Sequence, residues 1–177
     1  MELNSAMCRF ITISMLGAAA AVLIGIGALR LDASPPKEES LAIVVNQSNP
    51  ISDLSSAELR AVLLGERSHW SNGRRITLVM MEPGRAERDA VLRQICRMSE
   101  SDLHRRLVQG LLTGEILVSP KTLSSPEGVR KFVFNVPGAI GYLRASDVDD
   151  TVKVLTIDGR NPADPQYSLK VADRRDK

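Results

Sequence analysis

Two arginines, Arg85 and Arg88, follow the apolar run Ile76-Thr77-Leu78-Val79-Met80 through the short connection Met81-Glu82-Pro83-Gly84. A helix that begins after such a connection presents unsatisfied N–H groups and the positive end of its dipole, a combination that attracts anions. Arginines in a first turn oppose that dipole by roughly 0.3–1 kcal/mol each, so a bound anion would reverse the penalty. Gly84 can offer its N–H, and either guanidinium can offer two parallel N–H groups to a carboxylate or oxyanion. Arg88 stands three and four residues before Val91 and Leu92, which puts it on their inward face. The competing use of both arginines is a surface ion pair with Glu82, Glu87 or Asp89.

Four further residues are candidates for the same anion. Ser48 and Asn49 lie in the loop Gln47-Ser48-Asn49-Pro50, past the end of an apolar strand, where open α/β sheets hold ligands. They serve equally well as the cap of a turn before the proline. Ser55 has Glu58 three residues on and reads first as a helix cap. Tyr142 either lines a cleft or joins two elements in the core, and Trp70 packs over its turn.

Catalysis finds no support. The two histidines, His69 and His104, fall in a turn and on a helix, too few for a zinc site. No serine sits in a glycine-flanked elbow, and glycine-rich nucleotide loops are absent. The sequence therefore predicts a non-enzyme with no catalytic residue, no metal and no cofactor. Its net charge of +2 stays the same once Arg9, Arg30, Glu2 and Asp32 are set aside with the amino-terminal segment. Charges of both signs are interspersed, which argues against nucleic acid as a partner.

The elements that must position these residues alternate between strand and helix. Apolar runs at 41–45, 76–80 and 139–143, with a last one at 151–157, read as strands. Capping boxes start helices at Ser55 and at Ser99, the second carrying Leu103, Leu107, Val108, Leu111 and Leu112 as its buried stripe. Ser124 or Ser125, with Pro126 in the first turn, starts a helix whose apolar face is Val129, Phe132, Val133 and Val136. Pro137 ends it, and Gly138 is read as a left-handed exit. Aromatic residues make up only 3% of the chain, so the core must come from the aliphatic part of its 44% hydrophobic content. Cys96 is read as a small core residue.

The domain boundaries follow. Residues 10–29 form an almost unbroken apolar run between Arg9 and Arg30, long enough to cross a bilayer, so residues 1–30 are a transmembrane anchor or a signal peptide. Residues 31–40 are a proline-stiffened linker, 41–159 the folded domain and 160–177 a mobile polar tail.

The segment Val136-Pro137-Gly138-Ala139-Ile140-Gly141-Tyr142 resembles the PGAIGY segment of phosphate-binding-type periplasmic solute-binding proteins. Asn46-Gln47-Ser48-Asn49-Pro50, Leu54-Ser55-Ser56-Ala57-Glu58-Leu59, Leu64-Gly65 and Trp70-Ser71-Asn72-Gly73 are similar to further motifs of that family and keep its order. The resemblance covers roughly residues 41 to 158. It implies an α/β fold, a small mixed sheet flanked by helices like one lobe of a type 2 periplasmic-binding protein, preceded here by the amino-terminal apolar helix. It further implies phosphate or a related small oxyanion as ligand for ABC-type uptake or sensing. The expected location is the periplasmic side of the inner membrane, anchored by a single pass or secreted, with a second lobe or a membrane protein as partner. One departure matters: the family's Ser-Gly-Thr triplet at the anion-binding helix is replaced by a stretch without a hydroxyl, Glu82-Pro83-Gly84-Arg85-Ala86-Glu87-Arg88. The alternative function is accordingly a membrane-tethered protein-interaction module that has lost its pocket.

Overall fold

The computed structural model describes residues 38–116 and 119–172. The anchor or signal expected at 10–29 lies outside them, and no helix among the described residues is long and apolar enough to cross a membrane.

Seven strands form one mixed sheet: β1 (Glu38–Asn46), β2 (Asp53–Leu54), β3 (Thr77–Met81), β4 (Lys121–Leu123), β5 (Ala139–Arg144), β6 (Val152–Ile157) and β7 (Lys170–Ala172). Their order across the sheet is β2-β6-β1-β5-β3-β4, with β7 paired to the start of β1. β1 is central and antiparallel to β5, β6 and β7, whereas β3 is parallel to both β4 and β5 and β2 is parallel to β6. Among the described strands β1 alone therefore runs against the rest. Its apolar stretch from Leu41 to Val45 is buried on both faces, the environment that selects an unbroken aliphatic run over alternation.

Four α-helices among the described residues pack around this sheet. In α1 (Ser56–Leu63) the Ser55 hydroxyl accepts from Glu58 N–H while Glu58 reaches back to the cap, and Leu59, Val62 and Leu63 are buried. Next come α2 (Ala86–Val91), prolonged by a π-helical turn over Leu92–Cys96, and α3 (Glu100–Thr113), whose Ser99 and Asp102 form the second capping box. In α4 (Pro126–Asn135) Ser125 is the cap, with Pro126 in the first turn. Cys96 is a buried free thiol in the core, its pKa pushed up to about 11 by burial.

Four features depart from the sequence reading. In α3 only Leu103 and Gly110 are buried and Leu107 is half-buried, while Val108, Leu111 and Leu112 are exposed. The inward stripe turns toward Gly110 because Ile116 packs against it: a Cβ there would lie 2.6 Å from Ile116 Cδ1. Residues 160–172 are no mobile tail. Tyr167, Leu169 and Val171 are buried, the Tyr167 hydroxyl donates to Leu41 O at 2.8 Å, and β7 pairs with Glu38, Glu39 and Ser40. That pairing also moves residues 38–40 from linker into strand. Gly138 makes no left-handed exit, being absent from the glycines with positive φ. It is required because Arg75 O would lie 2.1 Å from any Cβ, and its own carbonyl accepts from Trp70 Nε1 and Thr77 N, each at 3.0 Å.

Candidate functional site

The strands β3, β5 and β6 finish at the same end of the sheet, and α2 begins there. Gly84 turns the chain with φ +82° and is exposed; Arg85 is the N-cap of α2, exposed, with no side-chain capping bond. Arg88 points inward as its spacing demands, but not at a hollow. Its Nε and Nη2 donate to the two carboxylate oxygens of Glu100 at 2.7 and 2.6 Å, and Nη1 donates to Met81 O at 2.7 Å. The fork foreseen for a solute anion is thus filled by the chain's own carboxylate, twelve residues on. Tyr142 does not line a cleft either. It is buried, its hydroxyl accepts from Met81 N–H at 3.0 Å, and desolvation pushes its pKa far above the ordinary tyrosine value. Both backbone polar groups of Met81 are thereby satisfied from within.

Beside this pair lies an ion cluster that sequence reasoning missed. Arg144, the last residue of β5, donates from Nε to Glu87 Oε1 at 2.6 Å and from Nη1 to Glu39 Oε2 at 3.3 Å and Ala172 O at 2.8 Å. Arg144 and Glu87 are each 3% exposed. Burial alone would raise the Glu87 carboxyl, but the hydrogen bond and charge of Arg144 and the bond from its own backbone N–H outweigh it and hold it below the ordinary 4.5. Glu39 behaves alike: burial raises it, and the Ser146 and Arg144 bonds bring it lower. A carboxylate in the first turn of α2, bonded to backbone N–H and to guanidinium, occupies the electrostatic role of a bound anion. The available signal was a charge closing an otherwise apolar strand, next to the PGAIGY-like segment.

The remaining candidates are dispersed. Ser55 holds its capping box at the start of α1, and the neighbouring Ser56 N–H donates to Asp158 Oδ1 at 2.9 Å, so this helix start also carries an internal carboxylate. Ser48 and Asn49 lie at the opposite end of the sheet. Leu41 is opposite Arg144 whereas Val45 is opposite Ile140 and Asn46 opposite Val152, so the loop after β1 emerges where β5 and β6 begin. At about 3.3 Å per residue, five residues along β1 separate it from Arg144 by ~17 Å. There Ser48 N and Oγ both donate to Asn46 Oδ1, and Asn46 Nδ2 donates to the carbonyls of Val133 and Phe134, tying down the end of α4. Asn49 Oδ1 accepts from Ile51 N at 3.1 Å. The loop is a built turn. No group of three or more His, Cys, Asp or Glu among the described residues could hold a metal.

No protein-family model matches the chain. The phosphate-binding protein PstS of Bacillus subtilis is 30% identical over 123 residues, 69% of this chain and 37% of that protein. Among solved structures, an ABC-type phosphate transport receptor from Vibrio cholerae superposes with a TM-score of 0.63 at 20% identity, covering 76% of this chain and 55% of that one. A putative phosphate ABC transporter substrate-binding protein from Clostridium perfringens, solved with bound phosphate, gives 0.62 at 20% identity over 78% of this chain and 57% of that one. PstS from Borrelia burgdorferi gives 0.62 at 12% identity, covering 76% and 55%. These relatives are named as binding proteins and transport receptors, not enzymes. The chain spans little more than a third of the Bacillus protein and somewhat over half of the three structures. With an α/β mixed sheet and four helices among the described residues that match part of the PstS fold, and the identity to PstS itself, the chain is similar to the PstS-like phosphate-binding protein family over part of that family's length.

Proposed function

We propose that this chain is a PstS-like recognition module on the periplasmic side of the inner membrane, held there by residues 10–29, and that it recognises a protein partner instead of clamping free phosphate. One observation carries this reading: the start of α2 is already loaded with the chain's own anions. Glu87 sits there on Arg144, Arg88 is gripped by Glu100, and Met81 is bonded on both sides. An incoming phosphate would meet buried negative charge and no uncommitted buried guanidinium. The exposed aliphatic side chains of α3, with Leu112 at 83% exposure, favour contact with a protein.

The second reading, phosphate binding for ABC-type uptake, is favoured by the relatives' names. It needs Arg85 and the Gly84 N–H to act alone or with a covering second lobe. Calorimetric titration of the full chain with inorganic phosphate and sulfate separates the two. The recognition reading expects no saturable heat; a saturable phosphate heat abolished by Arg85→Gln overturns it and restores the transport reading.

A further inference from the structure

At the end of the sheet away from α2, a hollow of about 240 Å³ opens between the end of α1, the beginning of β3 and the side of α3. Its walls are apolar where Val62, Leu78, Leu107 and Ile116 meet. Ser68, Thr77 and Arg75 supply polar groups to the same lining. The neighbouring Arg67 is engaged, its Nη1 lying 3.1 Å from Glu58. Arg75 differs: among the described residues its guanidinium has no hydrogen bond and no ion pair, although it belongs to the lining. The hollow is independent of the Arg88 and Arg144 clusters, which close the other end of the sheet.

We propose that this hollow is a binding site for a short aliphatic carboxylate, its chain against Val62, Leu107 and Ile116 and its carboxylate paired with Arg75. The apolar lining disfavours a phosphate dianion, which needs several donors to offset its lost hydration. An arginine whose side chain has no internal partner among the described residues, in a partly apolar lining, suits a single carboxylate, which its guanidinium can hold through two N–H groups. The volume lies below that of pockets for drug-sized ligands, which restricts the chain to a few carbons.

The test titrates the full chain with acetate, butanoate and hexanoate, with hexan-1-ol and inorganic phosphate alongside, reading heat and amide shifts. Affinity should tighten about fourfold per added methylene until the hollow is filled, the ratio corresponding to burial of one CH₂. The amides of Ser68 and Thr77 should shift, hexan-1-ol should bind at least about tenfold more weakly than hexanoate, and Arg75→Gln should abolish that difference. Arg75 is exposed, so the substitution leaves the fold intact. Affinity independent of chain length, a preference for acid over alcohol that survives Arg75→Gln, or phosphate bound as well as hexanoate overturns the proposal.

Discussion

The two ends of the sheet treat arginine in opposite ways. Where β3, β5 and β6 finish, Arg88 and Arg144 are buried, the first matched by one carboxylate and a backbone carbonyl, the second by two carboxylates and a backbone carbonyl. Where those strands begin, Arg75 stands exposed in the lining of a partly apolar hollow with no partner among the described residues. Burial makes the difference: a guanidinium removed from water must be paired by the fold itself, while an exposed one can wait for a ligand. Counting arginines near a helix start therefore says little about anion binding until their depth and partners are known.

The largest expected effect breaks the matched end. Arg144→Met leaves Glu87 buried without its counter-charge and should destabilise by about 3–5 kcal/mol in urea unfolding. Adding Glu87→Leu should recover much of that loss, and a loss below about 1 kcal/mol for the single variant would show that the cluster is not the closed unit described. At the other end, Gly138→Ala forces a Cβ onto Arg75 O, for which the distance of 2.1 Å leaves no room. The beginnings of β3 and β5 must separate, at about 3 kcal/mol, and the Trp70 environment should change in fluorescence because its indole donates to Gly138 O. An unchanged denaturation midpoint would mean the backbone relaxes freely there.

The smallest effect sharpens the comparison through pH. Glu87 and Glu39 release their protons more readily in the fold than at the ordinary 4.5, so the unfolded chain binds more protons over that window. The stability they contribute is complete above about pH 4.5 and is lost as pH falls through their lower folded values. In Glu87→Gln the slope of stability against pH between about 5 and 3 should shrink, whereas Arg75→Gln should leave it unaltered. Equal slopes in the wild type and Glu87→Gln would contradict the ion cluster.

Much of the local structure was legible. The caps at Ser55, Ser99 and Ser125 are formed by side chains reaching backbone groups within three residues, so the sequence window contains every participant. The inward direction of Arg88 was also legible, from its spacing to Val91 and Leu92. Its partner was not, because Glu100 belongs to another helix and the capping box that starts that helix says nothing of how the two helices face each other. Likewise Leu41-Ala42-Ile43-Val44-Val45 marks a buried strand but carries no direction. Since β1 runs against its neighbours, Ser48 and Asn49 emerge at the end opposite Arg88, not beside it. The polar composition after residue 160 hid three buried side chains two residues apart, Tyr167, Leu169 and Val171, the last of them in β7.

By itself the sequence determined the four longer strands, the helix starts and the family likeness, since these rest on periodicity and on contacts between near neighbours; the short strands β2, β4 and β7 exist only through pairing with distant partners. Only the tertiary structure decided which arginine is spent and which is available. A buried charge is defined by partners brought from distant positions, here Glu39, Glu87 and Ala172 around Arg144, and no local pattern encodes that meeting.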